Sequence, residues 1–159
     1  MDKACSKVFL SRSPAQTKRF AAKLARALEP GDVLALTGEI GSGKTTFVQG
    51  LAGGLEVPEG VVASPSFVLV REYQGRMPIF HADLFRLKKL PEAATVGLEE
   101  YYDSKGVTVI EWANRIPGVL PEEFLEIRFT PADQTTRKIS ILPHGQRYEK
   151  RNWPHAPGR

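Results

Sequence analysis

Residues 38–45, with the sequence GEIGSGKT, have residue types and a spacing that suit the binding of a nucleotide phosphate. They match the phosphate-binding loop pattern G-x-x-x-x-G-K-[ST] at every fixed position. Glycines let the backbone turn so that N–H groups converge on the phosphates, Lys44 brings a positive charge to the β- and γ-phosphates, and Thr45 offers a hydroxyl to Mg²⁺. The predicted cofactor-binding residues of this loop are Gly38, Glu39, Ile40, Gly41, Ser42, Gly43, Lys44, Thr45 and Thr46.

Two carboxylates end two apolar strands that are predicted beyond the loop. Strand 79–83 ends on Asp83, and strand 107–110 is followed by Glu111. Ligands of open α/β sheets bind beyond the carboxyl ends of the strands, so we expect both acids beside the phosphate-binding loop. Glu111 suits the Mg²⁺ shell, whereas Asp83 suits holding a metal-bound water or orienting the attacking one. The predicted catalytic residues are Asp83, Glu111 and Lys44, and the predicted metal ligands are Thr45, Glu111 and Asp83.

A buried strand must lead into such a loop, and a helix must follow it. Residues 32–37 form a short apolar run directly before the loop, and residues 45–55 have the apolar periodicity of a helix. Ser13 and Pro14 begin an earlier helix with a capping box, and Pro30-Gly31 ends it. Further strands are predicted at 7–10, 68–73, 79–83, 107–110, 124–129 and 138–142, and helical pieces at 90–102. This order predicts a three-layer α/β fold of the P-loop NTPase type, with a mixed, mainly parallel central sheet and added antiparallel strands.

The chain has 159 residues and a net charge of +4, and its basic excess lies in the last stretch. Residues 144–159 contain four basic residues and one acidic residue, which leaves 18 basic and 17 acidic residues in 1–143. The predicted organisation is therefore a single P-loop ATPase domain over 1–143, followed by a basic, disordered tail over 144–159. Because the tail has no periodic apolar face, we expect it to have no structural role.

No apolar run approaches the roughly 20 residues that span a bilayer, and the first residues lack the apolar core of a secretion signal. The single cysteine, Cys5, excludes an internal disulfide. We therefore expect a cytoplasmic protein that contacts neither membrane nor DNA. The sequence lacks the motifs of dinucleotide-dependent redox enzymes, zinc sites and acyl-transfer enzymes, so these classes have no support.

Four motifs occur in an order and spacing that give the chain a family resemblance. They are GEIGSGKTTF in the loop, SPSF at 64–67, HADLFR at 81–86 and EW at 111–112. The chain resembles the TsaE family, formerly YjeE, over residues 7–143. That family commonly has S-P-T-F and H-x-D-L-Y-R, so Ser66 stands for a threonine and Phe85 for a tyrosine. The first change keeps a hydroxyl, and the second loses one.

The resemblance implies a P-loop ATPase that supports threonylcarbamoyladenosine modification of tRNA, with ATP and Mg²⁺ as cofactors. It implies that Lys44 and Thr45 bind Mg²⁺-ATP, that Glu111 joins the Mg²⁺ shell and that Asp83 is needed for hydrolysis. The expected partners are TsaB- and TsaD-type proteins of the tRNA threonylcarbamoyl transferase complex, which hydrolysis resets, and tRNA indirectly. The resemblance also helps to place the adenine site, for which the candidate residues are Ser13, Thr17 and Arg137.

Several features near the predicted site have more than one interpretation. Residues 64–67 either sense the γ-phosphate or form a turn with Phe67 in the core. Arg86 is either a charge-stabilising finger or a surface ion pair. Trp112 packs in the core, contacts a partner or lies beside the nucleotide. His81 alternates with apolar neighbours on its strand, which favours a structural histidine with satisfied hydrogen bonds.

Two other functions are compatible with a complete phosphate site. A small-molecule kinase would use an acid near the γ-phosphate to deprotonate a substrate hydroxyl, but the sequence has no arginine-rich, lid-like insertion to exclude water. An RNA-binding module would use ATP only as a switch. The neutral composition of 1–143 argues against that module, and the basic tail argues for it.

Overall fold

The computed structural model describes residues 6–39, 41–63, 70–87, 97–102, 104–116 and 118–155. The strands are β1 (Lys7–Ser11), β2 (Val33–Thr37), β3 (Val70–Tyr73), β4 (Ile79–Asp83), β5 (Val107–Glu111), β6 (Phe124–Pro131) and β7 (Arg137–His144). The helices are α1 (Pro14–Ala25), α2 (Lys44–Gly54), α3 (Leu98–Tyr102) and α4 (Gln146–Glu149), with a 3₁₀ turn at Ala113–Arg115.

The described strands form one seven-stranded sheet in the order β1-β7-β6-β2-β5-β4-β3. The four central strands, β6, β2, β5 and β4, run parallel to one another. Strands β1, β7 and β3 add antiparallel pairs at the two sides. The predicted α/β architecture with a mixed sheet is therefore confirmed. Parallel strands need apolar cover on both faces, which agrees with the burial of β4 and β5 at every position.

Each face of the sheet has its own apolar cluster. On one face, α1 and α2 pack over alternate strand positions such as Leu34, Val109 and Ile127. On the other face, α3 and the 3₁₀ turn pack over intervening positions such as Ala35 and Ile110. Because side chains alternate between the faces of a strand, both sets are buried at once. The central strands therefore lie between two helical layers, as predicted.

Helices α1 and α2 approach each other closely, and this contact fixes the position of the phosphate-binding loop. A Cβ atom added at Gly50 of α2 would overlap the backbone carbonyl of Lys18 in α1. A Cβ atom at Gly54 would lie 2.7 Å from the carbonyl oxygen of Ala22. These glycines let the two backbones touch, so α2 and the loop at its N-terminus are held against α1.

Some predicted elements fall partly outside the described residues. The SPSF segment at 64–67 lies outside them, as does the first part of the predicted strand 68–73. The helical prediction for 90–102 is confirmed where the structure describes it, at Leu98–Tyr102. Among the described residues, none of the helices has the length and apolar composition needed to cross a bilayer.

The prediction of a disordered tail is wrong for residues 144–155. Helix α4 follows β7, and the side chains of Tyr148 and Trp153 are only 1% and 2% exposed. The Tyr148 hydroxyl accepts a hydrogen bond of 2.8 Å from the backbone N–H of Val33, at the start of β2. The Trp153 indole donates to the Tyr148 carbonyl over 2.7 Å. The segment therefore completes the apolar core on the α1 and α2 face.

An ionic cluster around Asp32 fastens the same segment to the start of β2. The Asp32 side chain is fully buried, and its carboxylate accepts hydrogen bonds from the guanidinium groups of Arg147 at 3.1 Å and Arg151 at 2.8 Å. It also accepts a 2.8 Å bond from the backbone N–H of Glu29. The Arg151 guanidinium lies 4.4 Å from the centre of the Trp153 ring. Part of the basic excess of the tail thus neutralises a buried acid instead of forming a basic surface.

Raising the pH above about 10, the ordinary tyrosine pKa, is expected to destabilise the fold. Burial is the main cause that raises the pKa of Tyr73, Tyr102 and Tyr148. The unfolded chain therefore loses tyrosine protons at a pH at which the folded chain keeps them. Stability from this source is complete below the unfolded pKa and falls as the pH rises toward the folded values. Melting temperatures measured from about pH 8 to about pH 11 report this loss of stability. In Tyr148→Phe the decline of the melting temperature with pH should be shallower. Equal declines in the variant and the original chain would show that Tyr148 does not contribute to the pH dependence.

Candidate nucleotide site

The phosphate-binding loop connects β2 to α2, as the sequence predicts. Gly43 caps α2 with a φ of 100°, a left-handed conformation that glycine adopts without strain. Helix α2 then begins at Lys44 and runs for 11 residues, so its N-terminal N–H groups point toward the loop. A helix N-terminus and its free N–H groups favour an anion such as phosphate.

The side chain of Lys44 turns back over this loop. Its ammonium group donates hydrogen bonds to the carbonyl oxygens of Gly38 at 2.6 Å and Glu39 at 2.9 Å. Burial lowers the pKa of Lys44, while the nearby carboxylates of Glu111 and Asp83 act in the opposite direction. The two acids therefore favour the charged form of Lys44, a residue that is only 5% exposed.

One cavity of about 420 Å³ joins the loop to the two predicted acids. Its volume lies within the range of roughly 300–1,000 Å³ that is usual for small-molecule and cofactor sites. The cavity is lined by Gly41, Ser42, Gly43, Lys44, Thr45, Thr46, Asp83, Phe85, Glu111 and Trp112. The structure thus brings together all three predicted catalytic residues and all three predicted metal ligands.

Asp83 and Glu111 are neighbours because β4 and β5 are parallel and end in register. The two residues are Cα partners across the strand pair, and both are buried. The backbone N–H of Phe85 donates to Asp83 Oδ1 over 2.8 Å, and the N–H of Leu84 donates to the Glu111 carbonyl over 3.0 Å. The turn after β4 is therefore bonded to both strand ends.

The donor set of the cavity fits Mg²⁺. Thr45 contributes a hydroxyl, and Asp83 and Glu111 contribute carboxylates. Mg²⁺ is usually held by one or two carboxylates together with substrate phosphates and waters, not by a cage made of protein alone. Among the described residues, no cluster of three or more His, Cys, Asp or Glu side chains suited to a metal occurs.

Glu111 is also the end of a buried chain of hydrogen bonds. Its Oε2 lies 2.6 Å from His81 Nε2, and His81 Nδ1 lies 3.2 Å from the Tyr73 hydroxyl. The Tyr73 hydroxyl in turn donates to the Ala63 carbonyl over 2.9 Å. His81 is fully buried with a partner for each ring nitrogen, as the structural interpretation of this residue requires. Tyr73 belongs to no motif of the sequence, and the only signal that could have found it is its spacing from His81, which suits a two-stranded hairpin.

Trp112 forms a wall of the cavity. Its ring lies 4.0 Å from Lys44 Nζ and 5.0 Å from the Phe85 ring, measured to ring centres. Its backbone has a φ of 61°, uncommon for a residue with a side chain, and its N–H donates to the Leu36 carbonyl over 3.2 Å. Such backbone strain occurs often at functional sites. Trp112 also packs, partly buried, against the apolar cluster on the α3 face, so its position fits both the packing interpretation and that of an aromatic beside the nucleotide. Arg86 is exposed in the turn after β4 and does not line the cavity.

The candidate adenine residues lie apart from the phosphate cavity. Ser13 Oγ accepts the 3.1 Å hydrogen bond that caps α1, from the N–H of Gln16. Thr17 is 5% exposed, and its hydroxyl bonds to Ser11 over 2.6 Å. Arg137 is the Cα partner of Ser11 across β1 and β7. The three candidates therefore belong to one neighbourhood, at the start of α1 and β7.

Ile40, a predicted residue of the phosphate-binding loop, lies outside the described residues.

Comparisons with known proteins agree on one family. Residues 11–139 match the family described as threonylcarbamoyl adenosine biosynthesis protein TsaE. The chain is 41% identical over 138 residues to the tRNA threonylcarbamoyladenosine biosynthesis protein TsaE of Bacillus subtilis, covering 86% of this chain and 85% of that protein. It is 38% identical over 132 residues to the protein of that name in Treponema pallidum, covering 83% of this chain and 97% of the relative.

A solved structure supports the same assignment. The crystal structure of YdiB from Bacillus subtilis superposes with a TM-score of 0.77 at 36% sequence identity, and the match covers 92% of this chain and 90% of that one. The family match extends over most of the residues from β1 to β7, and it includes the loop and both acids of the cavity. This chain therefore belongs to the TsaE family.

Proposed function

We propose that the chain binds and hydrolyses Mg²⁺-ATP and supports threonylcarbamoyladenosine modification of tRNA. The observation that carries the proposal is the single cavity in which Lys44 and Thr45 of α2 face Asp83 and Glu111 at the ends of β4 and β5. The tRNA pathway is supported by the names of the relatives. We expect a slow ATPase that partner proteins accelerate.

In this proposal the loop and Lys44 bind the phosphates. Lys44 exchanges its bonds to the Gly38 and Glu39 carbonyls for bonds to the β- and γ-phosphates, and the N–H groups at the start of α2 contact phosphate oxygens. The Thr45 hydroxyl and the Glu111 carboxylate hold Mg²⁺. When bound, the metal neutralises charge that develops on the phosphate oxygens.

Asp83 is assigned to the attacking water. Its Oδ1 accepts the 2.8 Å bond from the N–H of Phe85, and this bond limits rotation of the carboxylate. A carboxylate held in this way beside the metal ligand Glu111 is able to orient a water toward the γ-phosphate. We place the adenine base near the start of α1, and its candidate contacts remain Ser13, Thr17 and Arg137.

The proposed partners are TsaB- and TsaD-type proteins of the tRNA threonylcarbamoyl transferase complex, with tRNA contacted indirectly. ATP binding and hydrolysis would change the surface around the cavity and reset that complex between rounds. The exposed aromatic Phe85 and the cavity wall Trp112 support a surface of this kind, because both lie at the phosphate site and Phe85 is 38% exposed. ATP turnover is then expected to rise when the complex is added.

Asp83→Asn is expected to reduce ATP hydrolysis by about 100-fold and to leave ATP affinity within about threefold of the original. Asparagine keeps an oxygen that can accept the Phe85 N–H bond but removes the charge that orients water. Phosphate release measures hydrolysis, and calorimetry measures ATP affinity. In a reaction with the transferase complex, modified tRNA should stop accumulating after roughly one turnover per complex.

Glu122→Gln is the matched control, since Glu122 is an exposed acid outside the cavity and its loss should change neither measurement. Multiple-turnover modification by Asp83→Asn at the original rate would refute the reset. ATP hydrolysis that does not respond to the complex would refute activation by partners. Incubating the chain with ATP and candidate hydroxyl substrates distinguishes an ATPase from a small-molecule kinase. An ATPase releases free phosphate, whereas a kinase transfers the phosphate to the substrate.

A further inference from the structure

Three buried side chains form a chain of hydrogen bonds that ends at the backbone carbonyl of Ala63, and Glu111, the predicted Mg²⁺ ligand, is one of them. The hydrogen bonds run from the Ala63 carbonyl to Tyr73, from Tyr73 to His81 and from His81 to Glu111, over 2.9, 3.2 and 2.6 Å. Tyr73 is 3% exposed, His81 is fully buried and Glu111 is 3% exposed. Water is therefore a poor substitute for the two buried bonds, from Tyr73 to His81 and from His81 to Glu111.

The sheet explains why these residues meet. Strand β3 pairs antiparallel with β4, and β4 pairs parallel with β5. His81 lies two residues before Asp83, the Cα partner of Glu111, so His81, Asp83 and Glu111 share one face of the sheet. Tyr73 packs in the apolar cluster of that same face. The chain of bonds thus crosses three neighbouring strands on the side covered by α2.

The first bond has a definite direction. A backbone carbonyl only accepts, so the Tyr73 hydroxyl donates its single proton to Ala63. Burial raises the pKa of Tyr73, which keeps the hydroxyl protonated at neutral pH. The hydroxyl oxygen therefore accepts from His81 Nδ1–H, and the 2.6 Å contact between His81 Nε2 and Glu111 Oε2 holds a second proton between these two atoms. The imidazole ring is held at both ends, and it fixes the rotation of the Glu111 carboxylate.

We propose that Tyr73 and His81 are positioning residues that orient Glu111 for Mg²⁺ in the nucleotide complex. This inference rests on the proposed function, because it assigns Glu111 to the metal. Side chains that hydrogen-bond a metal ligand fix its direction, and their loss commonly weakens metal binding by about 10–100-fold. The two residues act on the metal only through Glu111, so they should leave the contacts of the loop with the phosphates unchanged.

The test measures how strongly Mg²⁺ tightens nucleotide binding. A non-hydrolysable ATP analogue is titrated into the full chain with saturating Mg²⁺ and again with excess EDTA, and the ratio of the two Kd values is compared between variants. Tyr73→Phe keeps the buried ring and removes the hydroxyl. We expect the Mg²⁺-dependent tightening to fall at least about fivefold, and the Kd in EDTA to stay within about twofold.

Two variants of His81 and a control variant of Tyr148 separate positioning from stability. His81→Gln keeps an amide that can donate to Glu111 and should restore part of the Mg²⁺ effect that His81→Leu removes. Tyr148→Phe is the matched control, because Tyr148 is a buried tyrosine whose hydroxyl bonds to Val33. It should lower the melting temperature and leave the Kd ratio unchanged.

The outcomes are distinguishable. If Tyr73→Phe lowers the melting temperature but keeps the original Kd ratio, the inference is wrong and Tyr73 serves stability alone. If Tyr73→Phe does not fold, equal Kd ratios for His81→Gln and His81→Leu would overturn the inference. If the unmodified chain binds the analogue equally well with and without Mg²⁺, the proposed function fails together with it.

Discussion

Asp32→Ala is expected to lower the free energy of unfolding by about 3–5 kcal/mol, the usual cost of removing one partner from a buried ion pair. The Asp32 carboxylate is fully buried and accepts bonds from Arg147 and Arg151. The variant leaves the Arg151 guanidinium, whose side chain is only 16% exposed, without its main acceptor. It also leaves the Glu29 N–H without its carboxylate partner. The Arg151 guanidinium then bears a desolvation penalty that the folded state does not offset.

Chemical denaturation measures this loss, and the melting temperature should fall by about 6–20 °C for a chain of this size. Lys150→Ala is the matched control, because Lys150 is an exposed cation in the same segment. The double variant Asp32→Ala, Arg151→Ala should lose less than the sum of the two single variants, since the pair is coupled. If Asp32→Ala lowers the free energy of unfolding by less than about 1 kcal/mol, the ion pairs of Asp32 with Arg147 and Arg151 contribute no more than a surface ion pair does.

Lys44→Ala is expected to weaken ATP binding by at least about 100-fold. Two charge-assisted hydrogen bonds to phosphate oxygens, at about 1.5–3 kcal/mol each, account for an effect of that size. The free chain should fold, because Lys44 donates to the carbonyls of Gly38 and Glu39 at the surface of the cavity and its side chain fills no part of the apolar clusters. The loss should therefore appear in affinity and not in the fold.

Calorimetry with Mg²⁺-ATP gives the affinity, and circular dichroism verifies the fold. Lys23→Ala removes an exposed lysine from α1 and should bind ATP as the original chain does. An undiminished ATP affinity in a folded Lys44→Ala chain would remove the basis for the nucleotide site. Weakened binding accompanied by unfolding would instead assign a structural role to this lysine.

The sequence predicted the central architecture because the signals there are local. The loop pattern, the apolar run before it and the helical periodicity after it each lie within a few residues, and the structure joins β2 to α2 through the loop. The convergence of Asp83 and Glu111 followed from a general property of parallel strands, and their register confirms it. Predictions of this kind need only the order of the elements.

The errors and omissions come from contacts between distant positions. Arg147 reaches Asp32 across 115 residues, and no local pattern shows that a basic tail has a buried acid as its partner. Tyr148 and Trp153 are two isolated aromatic residues without periodicity, so composition alone suggested disorder. Tyr73 was missed for a similar reason, because its role depends on a hydrogen bond that forms only when β3 and β4 pair.

The attachment of the tail to β2 has a consequence for synthesis on the ribosome. Asp32 and Val33 are made 115 residues before Arg147 and Tyr148, which supply their partners. At about 5–20 residues per second, a nascent chain carries this incomplete strand for roughly 6–23 s. During that time the acid has no cation from the tail and the core lacks two aromatic rings, so the emerging chain exposes apolar surface that the complete fold buries. The strand that leads into the nucleotide site is completed only after residues 147–153 have left the exit tunnel.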